Sequence, residues 1–117
     1  MYSYGLHNVK VDGVAVGSDL LDLYGGASFA YSFRTLRSAY SGNLIRARES
    51  LGNTEQNIGF VDGVLDTTSL LTFTGANSGF TPILYDQSTN ANNLTQTTAA
   101  NQLEIVNAGA LVTSNSL

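Results

Sequence analysis

The chain breaks its apolar residues into short runs and separates them closely with Gly, Ser, Thr and Asn. No segment can therefore present the long one-sided stripe that a helical bundle buries. Twelve glycines against a single proline leave many positions for tight turns. Short strands joined by such turns predict an all-β sandwich or barrel with antiparallel strands, and one or two short helices. With 117 residues, 43 % of them hydrophobic, there is core enough for one compact unit and not for two.

The turns can be read locally. In "NVKVDGVAV", Asn8 to Val16, alternating valines flank Asp12-Gly13, a pair suited to a type I′ hairpin because both central residues need positive φ. Residues 1–17 are therefore expected to be an N-terminal hairpin and attachment segment, and 18–117 the sandwich module. Val61-Asp62-Gly63-Val64 repeats the same turn chemistry. "GSDLLDLYGG" predicts a short helix that starts at Ser18 or Asp19 and plugs one end of the sandwich. Phe29, Tyr31 and Phe33 alternate with small residues and predict a strand; Ile45 and Ala47 alternate with Arg46 and Arg48 and predict another with one wet face. Asp66 to Gly75 has a capping acid, an apolar middle and a terminating glycine, which makes it the best helix. Pro82 places the start of the strand "GFTPIL" at an edge. "NNLTQTT" and "NQLEIVN" give two more strands around a small-residue turn at Ala99 to Asn101.

Charge and composition exclude several functions. Only 12 % of residues are charged and the net charge is −4, so no basic footprint exists for nucleic acid or an anionic membrane. There is no cysteine, hence no disulfide and no thiolate metal site. His7 is the only histidine, which removes a histidine metal cluster. No cofactor is expected. No apolar run reaches the roughly 20 residues of a membrane span, and "MYSYGLHNVK" lacks the pattern of a signal peptide. Release by lysis of a host would deliver such a chain outside a cell without a signal.

Glycoside hydrolysis needs two carboxyl groups, about 5 Å apart for retention or roughly 6.5–9.5 Å for inversion. Asp12 and Asp62 sit beside turn glycines, while Asp19 and Asp66 fit helix caps. Asp22, Asp86 and Glu104 are left as cleft acids, and no spacing pairs them. Arg34, Arg37, Arg46 and Arg48 could recognise a carboxylated sugar, although paired charges on strands are the commoner role. The aromatic residues include no tryptophan and are better suited to the core than to stacking on sugars.

Several blocks in order then point to a family. They are Arg34, Leu36, Ser38, Tyr40, Gly42, Ile45, Arg46 and Arg48, followed by Tyr85 to Ser88, Asn92 or Asn93, Leu94, Thr95 and Gln96. Together they resemble the N-terminal part of the catalytic domain of the α-L-arabinofuranosidase B family, and related modules of bacteriophage virion proteins. The resemblance implies a concanavalin A-like or jelly-roll β-sandwich. It transfers no catalytic residue, because the family's nucleophile and acid lie downstream of the matched blocks, and the family's cysteines are missing here. It also stops at "NAGALVTSNSL", where relatives continue into further strands, so the sandwich is expected to be incomplete and open to a neighbour.

The expectation is therefore a non-catalytic virion structural module such as a head fibre, decoration or tail-associated protein. Its partners would be other virion proteins or copies of itself, with host-surface glycan as an added ligand, and its location virion or extracellular. The alternatives are a fragment of an arabinofuranosidase-like hydrolase and a carbohydrate-binding module. Tyr85, Asp86, Asn90 and Asn92 are the candidate carbohydrate contacts. Asp86, Ser88, Asn90 and Asn92 also alternate like calcium ligands, but the twelfth position is Thr97 and only one ligand is charged, so no metal is expected. The favoured reading makes Asp86 and Ser88 a structural turn whose side chains bond to backbone amides.

Overall fold

A computed structural model describes residues 19–113. The hairpin expected at Asn8 to Val16 lies outside the described residues, as does His7. Strands β1 (Ile45–Glu49), β2 (Glu55–Ile58), β5 (Gly79–Leu84), β7 (Leu103–Asn107) and β8 (Ala110–Leu111) form one sheet in the order β2-β1-β5-β7-β8, with β6 (Leu94–Thr95) also on β5. All of these pairings are antiparallel. A separate hairpin, β3 (Phe60–Val61) and β4 (Val64–Leu65), stands beside it. The architecture is that of a partial β-sandwich, as the sequence predicts.

The alternation in β1 does what its residue types dictate. Ile45, Ala47 and Glu49 are buried, while Arg46 and Arg48 lie on the opposite face. Arg46 pairs with Glu55 at 2.6 Å, and Arg48 lies 4.8 Å from the centre of the Phe80 ring. Helix α2 (Thr67–Thr74) covers the inner face. Asp66 caps it by accepting the Ser69 N–H at 3.0 Å, and Gly75 ends it at φ 57°. Leu70 of α2 joins Leu44, Ile45, Ala47, Ile58, Ile105 and Val106 in the buried apolar core. Gly79 is required where the helix meets β5, since an added Cβ would lie 2.8 Å from the Thr74 methyl.

Four expectations need correction. The segment around Phe29, Tyr31 and Phe33 is no regular strand, although the Phe29 and Tyr31 rings stack at 5.6 Å. Its Ala30 N–H and Ser32 carbonyl bond to side chains of a distant loop, and only its end meets a strand, where the Phe33 carbonyl accepts the Leu65 N–H and Arg34 bridges to Val64. Helix α1 (Leu20–Leu23) is present but buries no residue, and Leu20 and Leu23 face solvent, so it does not plug the sandwich. Pro82 lies inside β5, a central strand, because a register shift between the Arg46 and Arg48 pairs leaves it opposite no β1 residue. Of the run "NNLTQTT" only Leu94–Thr95 pairs as a strand, while the turn expected after it is present as a 3-10 turn at Ala99–Asn101.

Candidate functional site

β5 delivers Tyr85 to Ser88 to the end of the sheet, and three of these four residues are buried polar groups: Asp86, Gln87 and Ser88. Buried polar groups need partners, and each finds them in residues 27–38, which lie far away in sequence. One Asp86 carboxylate oxygen accepts from the backbone N–H groups of Ala30 (2.8 Å) and Ser88 (2.9 Å). The other accepts from the Ser88 hydroxyl (2.7 Å) and the Asn92 N–H (2.8 Å). With two acceptor sites per oxygen, the carboxylate is saturated. Burial pushes the Asp86 carboxyl up, but the bonds from Ser88, Asn92 and Ala30 outweigh it together and hold the pKa at about 2.

Gln87 is fully buried and works as a splint for a chain with little regular pairing of its own. Its side-chain carbonyl accepts the Leu36 N–H at 2.7 Å, and its amide donates to the carbonyls of Arg34 (2.8 Å) and Ser32 (3.4 Å). Its backbone N–H donates to the Ala30 carbonyl at 2.8 Å. Asn90 donates to the carbonyls of Ala27 and Ser28, and Asn92 donates to that of Ser28. The Asn93 side chain accepts the Asp86 N–H at 3.0 Å. Tyr85 sends its hydroxyl elsewhere, to Asn57 on β2 at 2.7 Å.

The structure thus brings Asp86, Asn90 and Asn92 into one cluster and places the Tyr85 hydroxyl on the polar face of the sheet. Asp86 has no lone pair left to act as base or nucleophile. The donors around it are fixed N–H and O–H groups, and among the described residues no group of three His, Cys, Asp or Glu could hold a metal ion.

Four further acids accept hydrogen bonds within the chain. Asp22, on α1, accepts from the Ser38 and Asp19 N–H groups, and the Ser38 bond leads in lowering its pKa. Glu49 is buried and accepts from Gly52, Leu51 and Thr54 at the β1–β2 turn; the Gly52 N–H is the largest cause of its lowered pKa. Bonds from Ser69, hydroxyl first and then N–H, lower that of Asp66. Glu104, on β7, accepts from Asn107 at 3.1 Å. A general acid needs its pKa raised towards neutrality, and every resolved shift among these carboxyls runs the other way.

A second feature is apolar. A groove of about 330 Å³ opens between the β3–β4 hairpin, α2 and β7–β8. Leu70 and Ile105 form its floor, with Phe33, Val64, Leu111 and Val112 at its walls. Phe33, Val64 and Val112 are 43 %, 52 % and 52 % exposed, as is neighbouring Leu103 at 54 %. Exposed apolar side chains grouped next to the core make this a surface suited to contact with another element.

Comparison with known proteins agrees with this geometry. A family model described as α-L-arabinofuranosidase B, catalytic, matches residues 22–115. The chain belongs to that family. Solved structures similar to it include a GH54 α-L-arabinofuranosidase soaked with a cyclic sulfate inhibitor and an arabinofuranosidase complexed with arabinofuranosyl-α-1,2-xylobiose. Each is 34 % identical with a TM-score of 0.54, over 58 % of this chain and 15 % of the solved one. The chain therefore spans about one seventh of the arabinofuranosidases it matches. No curated protein matches it.

Within the family match, the residues that do the most were not singled out from sequence. Gln87 lay inside the recognised "YDQS" block without a role, and its signal was a polar residue between two others directly after an apolar strand. Glu49 could have been found as an acid three residues before Gly52, the spacing of a carboxylate that folds back on its own turn.

Proposed function

We propose that this arabinofuranosidase B-family chain is a non-catalytic sandwich component that works by protein–protein assembly in a bacteriophage virion, as a fibre, decoration or tail-associated protein. The observation that carries the assembly reading is the open apolar groove over Leu70 and Ile105. Its occupant is further β-structure of the same sandwich architecture, since the family's solved members are much longer than the part matched here. The engaged carboxylates support the non-catalytic half: Asp86 and Glu49 each accept two bonds on both oxygens and have no free acceptor for a substrate proton. The virion setting rests on the resemblance of the Arg34–Arg48 and Tyr85–Gln96 blocks to phage modules. A glycan-binding addition is less well supported, because Asp86, Asn90 and Asn92 already hold the backbone.

Two measurements test this. Light scattering on the purified chain should give an oligomer or a complex that Val64→Glu and Leu103→Glu break down; a monomer unaffected by either change would count against assembly. Mass spectrometry of purified phage particles should find the polypeptide, and its absence from every virion would remove that setting. The second reading is an arabinofuranosidase-like hydrolase of which this is a piece, favoured by the 34 % identity to solved enzymes. Release of 4-nitrophenol from 4-nitrophenyl α-L-arabinofuranoside by the isolated chain would establish it in place of the first.

A further inference from the structure

A pocket of about 230 Å³ lies beside the Asp86 loop, with Leu21 of α1 in its lining. Gly25, Gly26 and Ala27 form one wall, Ser88 and Thr89 another, and Arg37 closes it. Arg37 is anchored by its Nε–H, which donates to the Gln87 carbonyl at 3.1 Å, and by the Tyr40 ring 5.9 Å from its Cζ. That leaves the two Nη groups without a protein acceptor among the described residues, and no carboxylate there comes within 4.0 Å of them. Asp22 is the acid that senses the Arg37 charge, but its oxygens are occupied by Ser38 and Asp19.

The glycine wall adds to this. The N–H groups of Gly25, Gly26 and Ala27 have no backbone acceptor among the described residues. Gly26 sits at φ 88°, a conformation that strains any residue with a Cβ, so this wall offers bare backbone. A fixed guanidinium with its outer fork free, facing bare N–H groups and the exposed Thr89 hydroxyl, is the donor set of an anion site.

We propose that this pocket binds the carboxylate of a sugar acid, with Arg37 gripping both carboxylate oxygens through Nη1 and Nη2 and Thr89 facing the sugar ring. One arginine matches a planar monoanion, whereas a phosphate dianion would need a second cation that the pocket lacks. The volume suits a single ring. This site does not depend on the assembly reading.

The test is an NMR titration of the whole chain with sodium D-glucuronate, sodium acetate and D-glucose at fixed ionic strength. Glucuronate should shift the Gly25, Gly26 and Arg37 Nε signals saturably, with acetate weaker and glucose without effect. Arg37→Met should weaken glucuronate at least tenfold. Because that change also removes the bond to Gln87, Thr89→Glu serves beside it: an acid at the exposed rim repels the carboxylate, and the spectrum away from the pocket should stay unchanged. Acetate binding as tightly as glucuronate would overturn the sugar-acid assignment. No saturable shift, or binding unaltered in Thr89→Glu, would overturn the site itself.

Discussion

Two halves of this molecule are ordered by opposite means. Residues 44–84 and 94–111 form strands and a helix around an apolar core, and their strands pair with one another. Residues 24–43 have almost no regular structure, yet side chains of the Asp86–Asn92 loop hold their backbone group by group. The first half follows the usual division of labour, in which burial drives folding and backbone ladders satisfy the polar groups. The second is held by the side chains of Gln87, Asp86, Asn90 and Asn92, with Phe33 to Thr35 also bonded to the β3–β4 hairpin. An apolar contact tolerates a small shift, whereas a hydrogen bond does not, so the second half should fail locally and the first globally.

Leu70→Ala should have the largest effect, since it empties the centre of the core: a loss of about 3–4 kcal/mol in urea unfolding, with all amides affected together. Gln87→Ala comes next. It leaves the Leu36 N–H and the Ser32 and Arg34 carbonyls without their partner, at a cost of about 2–3 kcal/mol. Hydrogen exchange should locate the damage, with the Leu36 amide exposed well before those of β1. If Leu36 keeps its protection in that variant, the distinction between the halves is wrong.

How much could be read from sequence follows the same divide. The alternation of Ile45 and Ala47 with Arg46 and Arg48, the Asp62-Gly63 turn and the Asp66-capped helix were all legible, because each follows from a local pattern. The Asp62-Gly63 pair has the positive φ values, 52° and 79°, that the turn demands. The β7–β8 turn was missed, because Ala108 occupies a positive φ of 47° there and alanine gives no such signal. Phe29 to Phe33 misled for a deeper reason. Its alternation is that of an extended chain, but whether an extended chain joins a sheet depends on partners, and these came from a loop more than fifty residues away. The "YDQS" block was legible as a fold marker, and its Asp86 and Ser88 side chains do meet backbone amides. Three of those amides, of Ser88, Asn90 and Asn92, belong to the loop itself; what spacing could not reveal was the bond from the distant Ala30 N–H.

Acid should separate the halves more finely. The folded-state pKa of Asp86, about 2, lies below the ordinary 3.8, so the unfolded state binds more protons between these values. Its contribution is complete above the ordinary carboxylate range and is lost as pH falls through the folded value. Glu49, Asp66 and Asp22 are lowered as well and act in the same direction. Asp86→Asn should therefore lower the melting temperature at pH 7 and flatten its fall between about pH 4 and pH 2. Calcium should change neither protein; a parent melting temperature that rises with calcium would restore the ligand reading of Asp86, Ser88, Asn90 and Asn92.

The smallest effect concerns the opposite fault. In the polar-held half the buried groups Asp86, Gln87 and Ser88 all find partners, but in the apolar half the hydroxyls of Thr74 and Thr81 are buried without one. Thr81 lies in β5 at the register shift, where the ladder gives its hydroxyl nothing to bond. Valine has the same shape without the polar atom, so Thr81→Val should raise stability by up to about 1 kcal/mol, read as a higher urea midpoint at unchanged slope. Ser88→Ala should do the reverse, because it takes a donor from Asp86. If both substitutions destabilise, Thr81 has a partner after all, and polar satisfaction does not distinguish the two halves.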